Sequence, residues 1–294
     1  PVFHTRTEEA AMYAGLEASE ASGRFAAVSV TTGEAVLKAL SAGPSVRAES
    51  AWLLLLSTHT DPAHVGRGAI QETGRETMPS GSYSAGPLLH WARVLDDPNE
   101  LPSALAALDL GFQRKNGFFA HLALTRRVQA QLVPEFELPR ITVASSCADP
   151  AVLDHCAAVL KQGRCAVLAG RGAQAHAPAV RRLVRLTGAR ALTTPRGKGV
   201  IEAPCIGLAG DCRELYPNGR PDYLLVLGTK LGEASCLWDR ELLPNLQILH
   251  VDLEACFGAA YPTFPTLGIQ ADIGAFLAGV EARLVAAASE RRVA

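Results

Sequence analysis

The stretch RCAVLAGRG, residues 164–172, decides the fold. Residues 164–169 are a short apolar run and read as a strand. Gly170 and Gly172 follow, and then a helix over 178–187, with Val180, Leu183, Val184 and Leu186 facing inward. A strand that runs into a glycine turn and a helix is the repeating unit of a parallel sheet with crossover connections. Outward from this unit the pattern recurs. Upstream lies a helix over 150–161. Downstream lie strands over 189–193, 223–227 (ending in Gly228) and 246–251 (ending in Asp252), then a closing helix over 272–288.

The first half alternates in the same way. Residues 7–22 read as a helix capped by Thr5 or Thr7, with Glu8 and Glu9 in its first turn and Gly23 as its stop. A strand over 25–30, a helix over 33–42 and strands over 52–57 and 88–94 follow. Leu101, Leu105, Leu108 and Phe112 mark a helix over 98–114, and GFFAHLAL over 117–124 a further strand. Residues 133–150 carry Pro134, Pro139 and Pro150 without helical period and read as a linker. The expected class is therefore α/β, with two doubly wound parallel-sheet domains over 1–139 and 140–294.

Composition agrees with two cores. The chain has 294 residues, and domains of roughly 150 residues make that two. Hydrophobic residues are 48% and charged residues 19%, which excludes disorder as the main state. Lys and Arg number 28 against 29 Asp and Glu, so no basic excess points to nucleic acid or an anionic membrane. The longest apolar run, AWLLLL at 51–56, falls far short of the roughly 20 residues that span a bilayer. The start at Pro1, without Met or a leader, reads as a processed or partial chain. Seven scattered cysteines, all after residue 146 and with no C-x-x-C pair, read as reduced thiols of a cytoplasmic protein rather than a zinc site.

Several residues can carry chemistry, each with a plainer alternative. Gly170 and Gly172 let a backbone approach a phosphate, or only make a tight turn. Arg196 and Lys198 neutralise a phosphate, or sit in a solvated loop. Asp252 accepts ribose hydroxyls, or caps a helix after its strand. Glu8 compensates a helix dipole, or is functional. His59, His64 and His90 form no metal-like i, i+4 pair, so no metal site is expected.

These residues, taken in order, resemble thiamine-diphosphate-dependent enzymes of the acetolactate synthase type. Arg6-Thr7-Glu8-Glu9-Ala10-Ala11 resembles that family's Arg-His-Glu-Gln-x-Ala helix start, and Val30-Thr31-Thr32-Gly33 its Val-Thr-Ser-Gly turn. Gly66-Arg67-Gly68-Ala69-Ile70-Gln71-Glu72 resembles its Gly-Arg-Asp-Ala-Phe-Gln-Glu loop. Thr193-Thr194-Pro195-Arg196-Gly197-Lys198-Gly199, Leu227-Gly228-Thr229-Lys230-Leu231 and His250-Val251-Asp252-Leu253-Glu254 resemble three motifs of its central domain.

The resemblance implies an N-terminally incomplete pyrimidine-binding domain over 1–139 and a Rossmann-like central domain over 140–294. It implies Glu8 as the catalytic carboxyl against the aminopyrimidine, with Thr32, Gly33 and His59 also at the cofactor and Ile70 and Gln71 at the substrate. Gly170, Gly172, Lys198, Gly228 and Asp252 are candidate nucleotide contacts. The cofactor implied is thiamine diphosphate with Mg2+, the metal held by a diphosphate-binding domain not in this chain: Gly210-Asp211-Cys212 departs from the Gly-Asp-Gly motif. The partners implied are a 2-keto acid and either a homo-oligomer (dimer or tetramer) or a separate diphosphate-domain subunit. Other departures are Glu34 and Lys38 in the family's Gly-Pro-Gly-x-x-Asn turn, His59 for Gln and Ile70 for Phe. Lys230, where flavin-binding members carry Arg, speaks against FAD. Two competing readings are a scaffold or regulatory relative without catalysis, and a nucleotide or FAD binder working through the central domain.

Overall fold

The computed structural model describes residues 2–74, 76–138, 140–206, 215–254 and 257–293, the last seven by backbone alone. The chain divides into two compact units, Pro1–Val143 and Ala144–Ala294. The described residues within 132–149 form no helix or strand. Cys212, Cys256 and the Gly210-Asp211-Cys212 triplet lie outside the described residues.

In the first unit α1 (Glu8–Ser22) leads into β1 (Ala26–Ser29), α2 (Glu34–Leu40), α3 (Gly43–Ala48) and β2 (Trp52–His59). A long connection then reaches β3 (Trp91–Leu95), α4 (Leu101–Phe112), β4 (Phe118–Thr125) and α5 (Arg126–Gln129). The four strands are parallel in the order β1-β2-β4-β3. Alternation along β2 feeds two cores. Leu53 and Leu55 pack with Met12, Leu16, Val36 and Phe119 under α1 and α2. Leu54 and Leu56 pack on the other face, with Leu108, Phe118 and Leu122 under α4. α2 occupies most of the helix expected over 33–42, and a further helix not expected from the sequence, α3, begins at Gly43-Pro44. Gly43 is buried, and a Cβ there would lie 2.5 Å from Leu88.

The second unit contains α6 (Pro150–Lys161), β5 (Cys165–Ala169), α7 (Ala177–Thr187), β6 (Arg190–Thr193), β7 (Tyr223–Leu227), α8 (Glu233–Cys236), β8 (Gln247–Asp252), β9 (Thr266–Gln270) and α9 (Ile273–Val293). Its five parallel strands run β6-β5-β7-β8-β9, so the order reverses between β5 and β7. All five residues of β5 are buried. That is why its sequence is a continuous apolar run rather than an alternating one. Val167, Leu225 and Leu249 meet α6, α7 and α9 on one face. Leu168, Leu224 and Ile248 meet the irregular segments around Ile206, Leu242 and Tyr261 on the other. Among the described residues no helix is long and apolar enough to cross a membrane.

Candidate functional site

The first sheet brings the resemblance's cofactor residues to one end and one face. Beyond β1 the ladder continues: Val30 N–H donates to Leu56 O at 2.9 Å and Thr58 N–H to Thr31 O at 3.4 Å. Val28 is buried under α1, and alternation puts Val30 and Thr32 on its side. Leu53 and Leu55 put Ser57 and His59 there in the same way.

Helix α1 runs back along this face. Its Ser19 hydroxyl accepts Trp52 N–H at 3.0 Å, at the start of β2. Gly15 lies over the middle of the strands, where a Cβ would stand 2.9 Å from Val28 and 3.2 Å from Leu53. Seven residues of helix from Gly15 back to Glu8 cover about 10 Å. Three residues of strand from Val28 to Thr31 cover about the same. Glu8 therefore opens α1 level with the turn at 31–33. Thr7 caps the helix by accepting Ala10 N–H at 3.1 Å, and Glu8 is half-buried beside it.

Gly33 adopts φ 66° and ψ −129°, a conformation open to glycine. The loop over 60–74 folds onto it: Thr32 Oγ1 donates to Gln71 O at 3.3 Å, and a Cβ on Gly33 would stand 2.7 Å from that of Gln71. Gln71 itself has φ 52°, and its Nε2 donates to Glu34 Oε2 at 3.0 Å. The backbone N–H at the start of α2 and the Gln71 amide hold the Glu34 carboxyl below the usual range. Ile70 stands 91% exposed on the loop surface.

Two features missed in the sequence shape this loop. The Glu72 carboxylate accepts the backbone N–H groups of Gly66 at 2.6 Å, Gly68 at 3.1 Å and Ala69 at 3.2 Å. These bonds, Gly66 first, keep its carboxyl below the usual range. Thr60 and Thr73 clamp the loop's ends, each backbone N–H donating to the other's hydroxyl, at 2.8 and 2.9 Å. A third missed feature lies behind His59. His121, 1% exposed at the centre of the sheet, bonds Ser57 Oγ through Nε2 at 2.8 Å and Ser82 O through Nδ1 at 2.7 Å. Burial pushes its imidazole down to about 4. Its polarity inside the run GFFAHLAL was the available signal.

In the second unit, Gly170 and Gly228 flank the strand-order reversal, and Gly172 donates its N–H to Gly228 O at 3.0 Å. These glycines fill one another's space: a Cβ on Gly170 would stand 2.4 Å from Gly228 O, and one on Gly228 2.6 Å from Gly172 Cα. Their absent side chains thus serve backbone-to-backbone packing. Asp252 accepts Glu254 N–H at 3.0 Å, a local cap. Lys230 pairs with Glu254 at 2.7 Å. Lys198 is exposed on the loop after β6. Among the described residues no group of three or more His, Cys, Asp or Glu could hold a metal ion.

Comparison with known proteins adds a domain match and a fold likeness to this geometry. Residues 153–280 match the family model of the thiamine pyrophosphate enzyme central domain. The matched stretch lies within the second unit. No curated protein sequence matches the chain significantly. Among solved structures, a benzoylformate decarboxylase from Polynucleobacter necessarius superposes with TM-score 0.75 at 12% identity, covering 93% of this chain and 52% of that one. A protein described as a thiamin diphosphate-dependent enzyme from Mycobacterium smegmatis gives TM-score 0.74 at 12% identity, covering 94% of this chain and 54% of that one. At such identity the likeness shows a shared fold, extending over both units. The chain spans about half the length of these structures.

Proposed function

We propose that the chain forms the pyrimidine-binding and central portions of a thiamine-diphosphate-dependent enzyme. In this reading it decarboxylates a 2-keto acid and passes on the acyl unit, as acetolactate synthases do. One observation supports the proposal: Thr32 and His59 follow the buried faces of β1 and β2 at one end of the first sheet, with Gly33 in the turn beside them and the start of α1, which carries Glu8, on that side, in a chain whose second unit has the central-domain match. A half-buried carboxyl at a helix start suits the ring nitrogen of an aminopyrimidine, so this residue set fits the heterocyclic end of the cofactor.

When bound, thiamine diphosphate would supply a carbanion nucleophile and an electron sink for decarboxylation. The residues of this chain would hold and orient it. Glu8 would hold a proton at its carboxyl facing the ring nitrogen. Gly33, lacking a side chain, lets the turn come close, and Gln71 and Ile70 border the substrate side. The Mg2+ and diphosphate would be held by another segment or subunit, in a cytoplasmic oligomer.

A second reading, a relative without catalysis, draws on the Gln71–Glu34 hydrogen bond, which ties the substrate-side loop down onto the turn. Calorimetric titration of the whole protein with thiamine diphosphate and Mg2+, with CO2 release from pyruvate and from benzoylformate, separates the two. Catalysis predicts binding, and at least a hundredfold loss of CO2 release in Glu8→Gln. Absence of both binding and CO2 release overturns it.

A further inference from the structure

The ring of His59 is built into the site with more structure than a surface histidine has. Its Nδ1 lies 2.9 Å from Thr60 O. A carbonyl only accepts, so in the neutral ring Nδ1 carries the proton and Nε2 keeps its lone pair. The Tyr83 ring meets it edge-on, with centroids 4.9 Å apart and planes at 81°. On its other side Tyr83 lies against His121, with centroids 5.1 Å apart. His121 is held at both nitrogens, by the Ser57 hydroxyl on β2 and by the Ser82 carbonyl in the turn that also carries Tyr83. The Tyr83 hydroxyl is sealed from solvent beside the Thr73 side chain, so the ring is enclosed along its whole length.

We infer that His59 presents Nε2 as a hydrogen-bond acceptor to a ligand bringing an N–H or O–H donor to the strand end, and that Tyr83, braced by His121 and Ser57, is its positioning residue. The inference rests on the proposed function for the identity of the donor, which is then the amino group of the aminopyrimidine. It goes beyond that function in assigning roles to Tyr83, His121 and Ser57. A 2-keto acid anion brings no donor of its own and so does not satisfy His59.

The test is 15N spectroscopy of the whole protein labelled at histidine, with the His59 signals assigned by their loss in His59→Gln. The expected wild-type spectrum shows His59 as a single neutral tautomer, protonated at Nδ1. Tyr83→Phe keeps this spectrum, and Tyr83→Leu turns it into an average of the two tautomers. Thiamine diphosphate with Mg2+ moves the Nε2 signal, and pyruvate alone leaves it in place. A wild-type His59 protonated at Nε2 overturns the inference even if no variant folds. So does a Tyr83→Leu spectrum unchanged from wild type, or an Nε2 signal moved by pyruvate but not by bound thiamine diphosphate. If calorimetry shows no cofactor binding, the proposed function fails, while the tautomer and the Tyr83 series still decide the positioning claim.

Discussion

At the residue scale, His121 shows what burial does to a titratable group. Its ordinary value of 6.5 falls to about 4 because the charged form would lose its water. Between these values the unfolded chain binds a proton that the folded chain refuses. Stability is therefore full above pH 6.5 and declines as pH falls towards 4, by about 3 kcal/mol. Urea midpoints at pH 7 and 4.5 should show this loss in the wild type, and a flatter dependence in His121→Gln. Glu72 works with the opposite chemistry. Its carboxyl is held below the usual range by Gly66, Gly68 and Ala69 N–H groups, so its contribution is present at neutral pH and lost as pH falls through the lowered value. Hydrogen exchange at those three amides should speed up in Glu72→Gln at pH 7, and in the wild type only under acid. Neither role could be read from the sequence. His121 stood out as a polar residue in an apolar run, but its partners Ser57 and Ser82 come from 64 and 39 positions away. Glu72 acts through backbone donors, which no side-chain pattern announces.

At the element scale, α1 matters because its start carries Glu8 and its middle sets how close it lies to the sheet. Gly15 is the contact: a Cβ there already meets Val28 at 2.9 Å. Gly15→Val should push α1 outward, costing about 1–3 kcal/mol as overpacking does. It should also weaken cofactor binding in the whole protein although no ligand-facing residue has changed. Thr7→Ala, which removes only the cap on Ala10 N–H, should cost about 1 kcal/mol and leave the helix seated. Thermal melts and calorimetry on both variants separate position from stability. These elements were legible because each has a local cause. α1 has a cap and a glycine stop, α6 begins at Pro150 under an Asp149 cap, and buried parallel strands such as β5 and β7 are apolar throughout. β9 was not legible. It is an edge strand of five residues with Gly268 at its centre, and a Cβ on that glycine would stand 2.4 Å from Phe257. Its pairing with β8 is a tertiary fact, not a propensity. The loop over 60–74 escaped for the same reason, since threonine and carboxylate bonds hold it without any period.

At the scale of the whole molecule, each unit closes its own cores. The two clusters of the first unit draw on buried residues from Met12 to Val128, and those of the second from Leu153 to Val280. The described residues within 132–149 contribute no strand or helix, and Arg140 is exposed among them. A protease needs backbone outside helices and sheets, which the stretch from Arg140 to Val143 offers and the sheets do not. Limited trypsin digestion should therefore cut first after Arg140 and leave two fragments resistant to further cleavage. The boundary bears on function because the candidate site of the first unit is built entirely before residue 126, from α1, the ends of β1 and β2 and the loop over 60–74. The cut protein should accordingly keep the His59 tautomer and the slow exchange of the Gly66, Gly68 and Ala69 amides. Loss of either on cleavage would show that the site draws support from beyond its own sheet.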